Sequence, residues 1–233
     1  MSKYNISARV NPLADQSGKV KAMASVTIDN VIAINSLTIV EGSNGNFVGY
    51  PQAKDAKGQY RDIVEFLKDD GGKMTQASVD LKNAINKILI EMYEKNERQT
   101  PESDWKGQEP IMHEVKAFVT PLRDSENATK GLATVHVGDM FKINSIRVNE
   151  NTKEGSENFG KSFVAMPSRP DKSAENGYRE IVHTVNKVYA EQFKGAVLKQ
   201  YDNQVAWKNR TAEKAQAPEQ NRQAANKSAH GID

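Results

Sequence analysis

Ile34-Asn35-Ser36-Leu37 returns later in the chain as Ile143-Asn144-Ser145-Ile146, and this repetition decides the fold. Pro12-Leu13 and Pro121-Leu122 precede the two motifs at the same distance. Further matches keep this order: Phe47-Val48-Gly49-Tyr50-Pro51 with Phe163-Val164-Ala165-Met166-Pro167, and Gly58-Gln59-Tyr60-Arg61-Asp62-Ile63-Val64 with Gly177-Tyr178-Arg179-Glu180-Ile181-Val182. Such internal repetition indicates that one structural unit is used twice.

Length and composition limit the class of protein. The 233 residues carry 32 basic and 30 acidic side chains, so that the net charge is only +2 and any electrostatic function depends on where the charges lie. Cysteine does not occur, which excludes disulfides and thiolate metal ligands. The sequence shows neither a secretory signal nor an apolar run of membrane-spanning length. We therefore expect a cytoplasmic protein without a membrane partner.

Each repeat has the periodicity of an α+β unit. In the first copy, residues 20–28 and 31–40 alternate apolar and polar side chains and predict a hairpin, and residues 6–13, 47–50 and 60–66 predict strands that complete a small antiparallel sheet. From Leu81 to Tyr93 apolar residues recur every three or four positions, which predicts an amphipathic helix. The second copy predicts strands at 114–122, 131–137, 140–148, 162–166 and 178–185, and a helix at 187–201.

Two segments fall outside the repeated units. Residues 99–110 contain Pro101, Gly107 and Pro110 among polar neighbours and predict a linker. Residues 205–233 are rich in Ala, Gln, Asn and charged residues and predict a polar, disordered tail. The predicted domains are therefore residues 1–98 and 111–204.

Several stretches of both repeats carry a family resemblance. They are Ala24-Ser25-Val26-Thr27-Ile28-Asp29, Leu37-Thr38-Ile39-Val40-Glu41-Gly42-Ser43-Asn44-Gly45-Asn46-Phe47-Val48, and above all Phe163-Val164-Ala165-Met166-Pro167-Ser168-Arg169 followed by Gly177-Tyr178-Arg179-Glu180-Ile181. In these stretches the chain resembles the SpoVG family (stage V sporulation protein G, septation regulators). The resemblance implies a twisted antiparallel sheet with a C-terminal α-helix in each unit.

The resemblance also implies a function. Family members are bacterial cytoplasmic proteins that bind DNA, and in some cases RNA, and regulate cell division and gene expression. Members are single-unit chains that pair as dimers, so the duplication implies an intramolecular pseudo-dimer, and further self-association of the chain stays open. DNA or RNA is the partner that the resemblance implies, and no cofactor is expected.

The family has a basic hairpin arm after the position of Met166-Pro167-Ser168. The nucleic-acid-binding residues that it implies are Lys54, Lys57 and Arg61 in the first copy and Arg169, Lys172 and Arg179 in the second. Long cationic side chains suit phosphate contact because they displace counterions on binding. Acidic residues dilute both arms: Asp55, Asp62, Asp171, Glu175 and Glu180. Weaker affinity, a structural role for one copy and a merely solvated hairpin are therefore alternatives.

Other basic and aromatic residues have two interpretations each. Lys19 and Lys21 align with a basic pair of the family, of which the second copy keeps Lys130, but ordinary solvent-facing strand residues explain them as well. Tyr50 and Tyr60 lie beside the first arm and would stack on bases or pack in the sheet.

Gly155-Ser156-Glu157-Asn158-Phe159-Gly160-Lys161-Ser162 matches the phosphate-binding P-loop pattern. That chemistry requires a helix that begins at the lysine, whereas Phe163-Val164-Ala165-Met166-Pro167 is a strand pattern. We therefore predict a loop between strands. The four histidines have no metal-ligand spacing, the serines have no nucleophile context, and no enzyme is expected.

Three hypotheses about function follow. A nucleic-acid-binding regulator would bind through its arms in a salt-dependent way. A non-enzymatic protein-interaction module derived from the same fold would bind its partner even after charge reversal in the arms. A nucleotide hydrolase would use residues 155–162 and require magnesium; we favour the first hypothesis and regard the third as the weakest.

Overall fold

The alternating segments of each repeat form strands, and the segments with helical periodicity form one helix each. The computed structural model of the protein describes residues 4–55, 57–122, 127–175 and 177–229, with side chains to residue 211 apart from that of residue 104. The first unit contains β1 (Ile6–Pro12), β2 (Val20–Ile28), β3 (Ile32–Gly42), β4 (Gly45–Gly49), β5 (Gln52–Lys54), β6 (Tyr60–Asp62), β7 (Val64–Phe66) and α1 (Gln76–Glu94). The second unit contains β8 (Val115–Pro121), β9 (Thr129–Val137), β10 (Phe141–Glu150), β11 (Ser162–Ala165), β12 (Ser168–Pro170), β13 (Tyr178–Glu180), β14 (Val182–Thr184) and α2 (Lys187–Ala229).

Two antiparallel sheets form the body of the molecule, and each takes one strand from the other unit. The first sheet has the order β1-β2-β3-β14, with β4 beside the second half of β3. The second sheet has the order β8-β9-β10-β11, with β7 beside the first half of β10. The α+β class, the two tandem units and the intramolecular pseudo-dimer are thereby confirmed.

The single strand predicted at residues 60–66 is divided in the structure because of this exchange. This segment is two short strands, because Ile63 turns inward between them: β6 belongs to a hairpin arm, whereas β7 pairs with β10 of the second unit. The predicted strand at 178–185 divides in the same way into β13 and β14. The expectation that each unit completes its own sheet was therefore wrong.

The repeated Asn-Ser pair explains where the exchange occurs. Asn35 and Ser36 lie together opposite Ser25, and Asn144 and Ser145 lie together opposite Thr134, so that each pair forms a β-bulge. Ser36 and Ser145 have φ of 62° and 63°, a left-handed conformation that bends the strand at this point.

The two asparagines of the bulges hold the incoming chain. The backbone N–H of Asn35 donates to the carbonyl of Ile181 at 2.7 Å, and that of Asn144 donates to the carbonyl of Ile63 at 2.8 Å. Their side-chain amides donate to the carbonyls of Glu180 and Asp62, each at 3.0 Å. Each asparagine therefore anchors the base of the other unit's arm.

The helices pack by the predicted stripes. In α1 the residues Leu81, Ile85, Leu89 and Met92 are buried, and the hydroxyl of Thr75 accepts a hydrogen bond from the N–H of Ser78 at its N-terminus. In α2 the fully buried residues are Tyr189, Phe193 and Val197. Residues of both helices and both sheets form one contiguous buried cluster, so the two units share a core.

The segments outside the repeats are partly ordered against the body of the molecule or helical. Arg98 and the start of the linker run along the edge of β1, where Val10 donates to the carbonyl of Arg98 at 2.9 Å and Thr100 donates to that of Ala8 at 3.0 Å. The helix α2 continues to Ala229, whereas the sequence predicted a disordered tail from residue 205. Ala is the most frequent residue of this segment, and its high helix propensity, with that of the Gln, Lys, Glu and Arg residues, favours the helix although Asn residues and Pro218 oppose it.

Candidate nucleic-acid interface

The first arm is the hairpin of β5 and β6, and a single carboxylate organises its turn. Oδ1 of Asp55 accepts hydrogen bonds from the backbone N–H groups of Lys57 and Gln59, each at 2.9 Å. Gly58, with φ of 76°, supplies the left-handed residue that this turn needs. The pKa of Asp55 lies below its usual value, chiefly because of the Gln59 N–H, with Arg61 adding to the effect.

The second arm is the hairpin of β12 and β13 and has the same design. Oδ1 of Asp171 accepts hydrogen bonds from the hydroxyl of Ser173 at 2.6 Å and from its backbone N–H at 2.9 Å. These bonds and the adjacent Arg179 lower the pKa of Asp171 to about 2. Two of the five acidic residues of the arms, Asp55 and Asp171, thus shape the two turns.

Two of the six predicted binding residues form ion pairs within their own arms. Nε of Arg61 lies 3.1 Å from Oδ2 of Asp55, and Nε of Arg179 lies 2.6 Å from Oδ2 of Asp171. Both guanidinium groups therefore hold their hairpins in shape, although each remains about half exposed.

The other four predicted residues point into solvent. Nζ of Lys54 lies 5.3 Å above the ring of Tyr60, and Lys57, Arg169 and Lys172 are exposed. Within the part of the chain that the structure describes, these three side chains form no ion pair. Together with Lys54, they are the arm cations that are available to a phosphate group.

The two tyrosines beside the first arm have different environments in the structure. Tyr50 packs edge-on against Phe66 with ring centroids 5.1 Å apart, and its hydroxyl donates to Asn86 at 3.0 Å. Burial raises the pKa of Tyr50, as expected for a packing residue. Tyr60 is 64% exposed, and its counterpart Tyr178, which we did not predict as a binding residue, is 57% exposed. The repeat itself was the signal that could have identified Tyr178.

The lysines near the start of the second strand of each unit form ion pairs with a glutamate on the neighbouring strand. Nζ of Lys21 lies 2.8 Å from Glu41, and Nζ of Lys130 lies 3.8 Å from Glu150. These matched ion pairs favour the structural interpretation of Lys21 and Lys130.

Residues 155–162 form turns that lead directly into β11, so the prediction of a loop between strands is confirmed. Nζ of Lys161 contacts Oδ1 of Asn158 at 3.3 Å within this loop. Among the described residues, no group of three or more His, Asp or Glu side chains has a metal-binding arrangement. In the same part of the chain, none of the helices has the length and apolar character needed to cross a membrane.

Comparison with known proteins identifies the repeated unit. The SpoVG family model matches twice, at residues 4–95 and 112–203. The septation protein SpoVG of Caldanaerobacter subterraneus subsp. tengcongensis is 33% identical over 87 residues, which are 37% of this chain and 84% of the relative. That of Lachnospira eligens is 32% identical over 89 residues, 38% of this chain and 89% of the relative.

A third relative matches a shorter stretch at higher identity. The septation protein SpoVG of Symbiobacterium thermophilum is 46% identical over 56 residues, which are 24% of this chain and 39% of the relative. The two family matches, one on each strand-exchanging unit, lead to one conclusion: the chain belongs to the SpoVG family and carries two tandem copies of its unit.

Proposed function

We propose that this protein is a non-enzymatic regulator that binds DNA or RNA through its two hairpin arms. The observation that carries the proposal is the set of exposed arm cations, Lys54 and Lys57 on one arm and Arg169 and Lys172 on the other. An Asp–Arg pair holds the turn of each arm in shape, so that the backbone carrying these cations is ordered before binding. The similar proteins are named as septation proteins, which supports a role in septation.

The two arms have different electrostatic surroundings. In the first arm Asp55 is bound by Arg61, and Asp62 is the one carboxylate outside this pair among the described residues of the arm, against the two exposed lysines Lys54 and Lys57. In the second arm Glu175 and Glu180 are exposed beside Arg169 and Lys172. We infer that the first arm contributes more of the phosphate affinity than the second.

Equilibrium binding tests the proposal. Fluorescence anisotropy would compare labelled single-stranded DNA, duplex DNA and RNA at low salt, with the parent and with a variant in which Lys54, Lys57, Arg169 and Lys172 are changed to alanine. The variant should lose most of its affinity, because nonspecific binding to nucleic acid is largely electrostatic.

A charge-matched variant is the control. Lys87, Lys95, Lys194 and Lys199 lie exposed on the helices, and changing them to alanine removes the same formal charge away from the arms. This control should keep most of the parent's affinity. The proposal fails if the parent binds none of the three probes, or if the arm variant binds as tightly as the control, and a protein partner would then become the leading hypothesis.

A further inference from the structure

The two sheets have outer faces, turned away from the helices, whose residues differ at matching positions of the repeat. The second sheet exposes Lys116 and Phe118 on β8, Leu132 and His136 on β9, and Lys142 and Arg147 on β10. The matching residues of the first sheet are Ser7, Arg9, Met23, Thr27, Ala33 and Thr38. Only the second face therefore combines an aromatic ring with several cations.

The centre of the second face is a pair of contacting rings. The rings of Phe118 and His136 have centroids 4.8 Å apart and are tilted by 51°, and Nζ of Lys116 lies 5.5 Å from the centroid of Phe118. Phe118 is 44% exposed, although it has a neighbouring strand on which to pack. Phe118 therefore lies between the His136 ring and the Lys116 ammonium and keeps nearly half of its surface in solvent, where displacement of the mobile lysine side chain would open the ring to a base.

The charged groups around His136 come from three strands. Lys116 on β8 and Lys142 on β10 face it, and Glu65 on β7 binds Lys142 at 3.0 Å. Partial burial and the two lysines lower the pKa of His136, so that at neutral pH its ring supports Phe118 as an uncharged partner.

A groove runs beside the ring pair because the exchange of strands brings the first arm over the second sheet. The groove has a volume of about 620 Å³. Its floor contains Phe118, Leu132 and Thr134, and its walls contain Lys54 of the first arm and Arg147 of β10. Cations thus flank the aromatic floor, whereas the acidic groups nearby, Asp55 and Glu65, are neutralised by Arg61 and Lys142.

The equivalent region of the first sheet is arranged differently. The linker runs beside it, with Gln99 bridged to Arg9 and the hydroxyl of Thr100 accepting a hydrogen bond from Ala8 at 3.1 Å. Trp105 and Glu102 form a further wall over Ser7 and Thr27. The linker thus covers part of the first face and leaves the second face open.

We propose that the outer face of the second sheet binds single-stranded nucleic acid, with a base stacked on Phe118 and phosphates near Lys54, Lys116 and Arg147. The proposal rests on the function proposed above and gives it a second contact surface and a substrate class. Unpaired bases expose the π-faces that an aromatic platform needs, whereas a duplex hides them. The surrounding cations favour a polyanion over an apolar peptide.

The test changes the ring without changing the charge. Anisotropy titrations would use one labelled single strand and the duplex of the same sequence, with the parent, Phe118→Leu and Phe118→Trp. The loss of one base–aromatic stack should weaken single-strand binding by Phe118→Leu about tenfold. Duplex binding should be unchanged, and Phe118→Trp should bind the single strand at least as tightly as the parent.

Phe47→Leu is the matched control, because Phe47 is 51% exposed on β4 of the first unit, away from the groove. Thermal unfolding of each variant would verify that it is folded. If Phe118→Leu binds the single strand as the parent does while the arm variant loses binding, the stacking site is refuted and the function of the arms stands. If the parent binds neither probe at low salt, both proposals fail.

Discussion

Asn35 and Asn144 occupy matching positions in the two units and make the same hydrogen bonds to the base of the other unit's arm. Arg9 and Phe118 also occupy matching positions, yet the first lies beside the linker and the second beside an open groove. The comparison teaches that strand exchange constrains the residues at the junction of the units, whereas the outward faces are free to diverge. Duplication in one chain makes that divergence available, since the halves of a homodimer have identical sequences.

The largest expected effect tests whether the two junctions are equivalent. Ile63 and Ile181 are both buried where an arm becomes an exchanged strand. Changing either to alanine should lower the free energy of unfolding by about 2–5 kcal/mol, because each substitution leaves a cavity in the shared core. Urea unfolding followed by circular dichroism would measure it, with the exposed Ile111→Ala as control. A large loss from one substitution and none from the other would show that only one exchange supports the fold.

A smaller effect is expected from the asparagines of the two bulges. Asn35→Ala and Asn144→Ala should each lower the free energy of unfolding by about 1 kcal/mol, the usual net contribution of a hydrogen bond. Each asparagine also has a second side-chain partner, since Asn144 accepts a hydrogen bond from Thr134 at 3.0 Å and Nδ2 of Asn35 lies 3.3 Å from Nδ1 of His183, so the two substitutions should have similar effects. The same urea titrations would measure both. Equal stability of the parent and both variants would contradict the anchoring role of these side chains.

The smallest expected effect concerns the carboxylate that shapes the turn of the second arm. The Asp171 carboxyl should titrate with a pKa of about 2, below its ordinary value of 3.8, because Ser173 and Arg179 stabilise the charged form. A depressed folded-state pKa contributes stability above about pH 4, and this contribution is lost as the pH falls toward 2. Carbon NMR of the carboxyl groups would follow the titration. Arg179→Ala should move the pKa upward, and an ordinary value in the parent would refute the pairing.

Much of the fold could be predicted from the sequence because its signals are local. Alternation located β2 and β3, and the spacing of Tyr189, Phe193 and Val197 located the packed face of α2. The sequence could not predict which sheet Val64–Phe66 joins, since a short apolar run has the same pattern in either sheet. Strand exchange depends on contacts between distant parts of the chain.

Less of the candidate site than of the fold could be predicted from the sequence. The six arm residues could be located by the family resemblance, but the pairing of Arg61 with Asp55 depends on the geometry of a turn. Phe118 alternates with buried residues like any strand residue of an outer face. Its importance arises only from the nearby His136 and from the arm that the exchange brings over it.

The most direct measurement is the salt dependence of single-strand binding by the parent and by the variant that lacks Lys54, Lys57, Arg169 and Lys172. Each phosphate neutralised on a single strand contributes roughly −0.7 to the slope of log K against log salt concentration. If all four arm cations contact phosphates, we expect the slope of the variant to be less negative than that of the parent by roughly 3. The slope that remains in the variant would come from the cations of the second sheet, Lys116 and Arg147. Equal slopes in the two proteins would contradict phosphate binding by the arms.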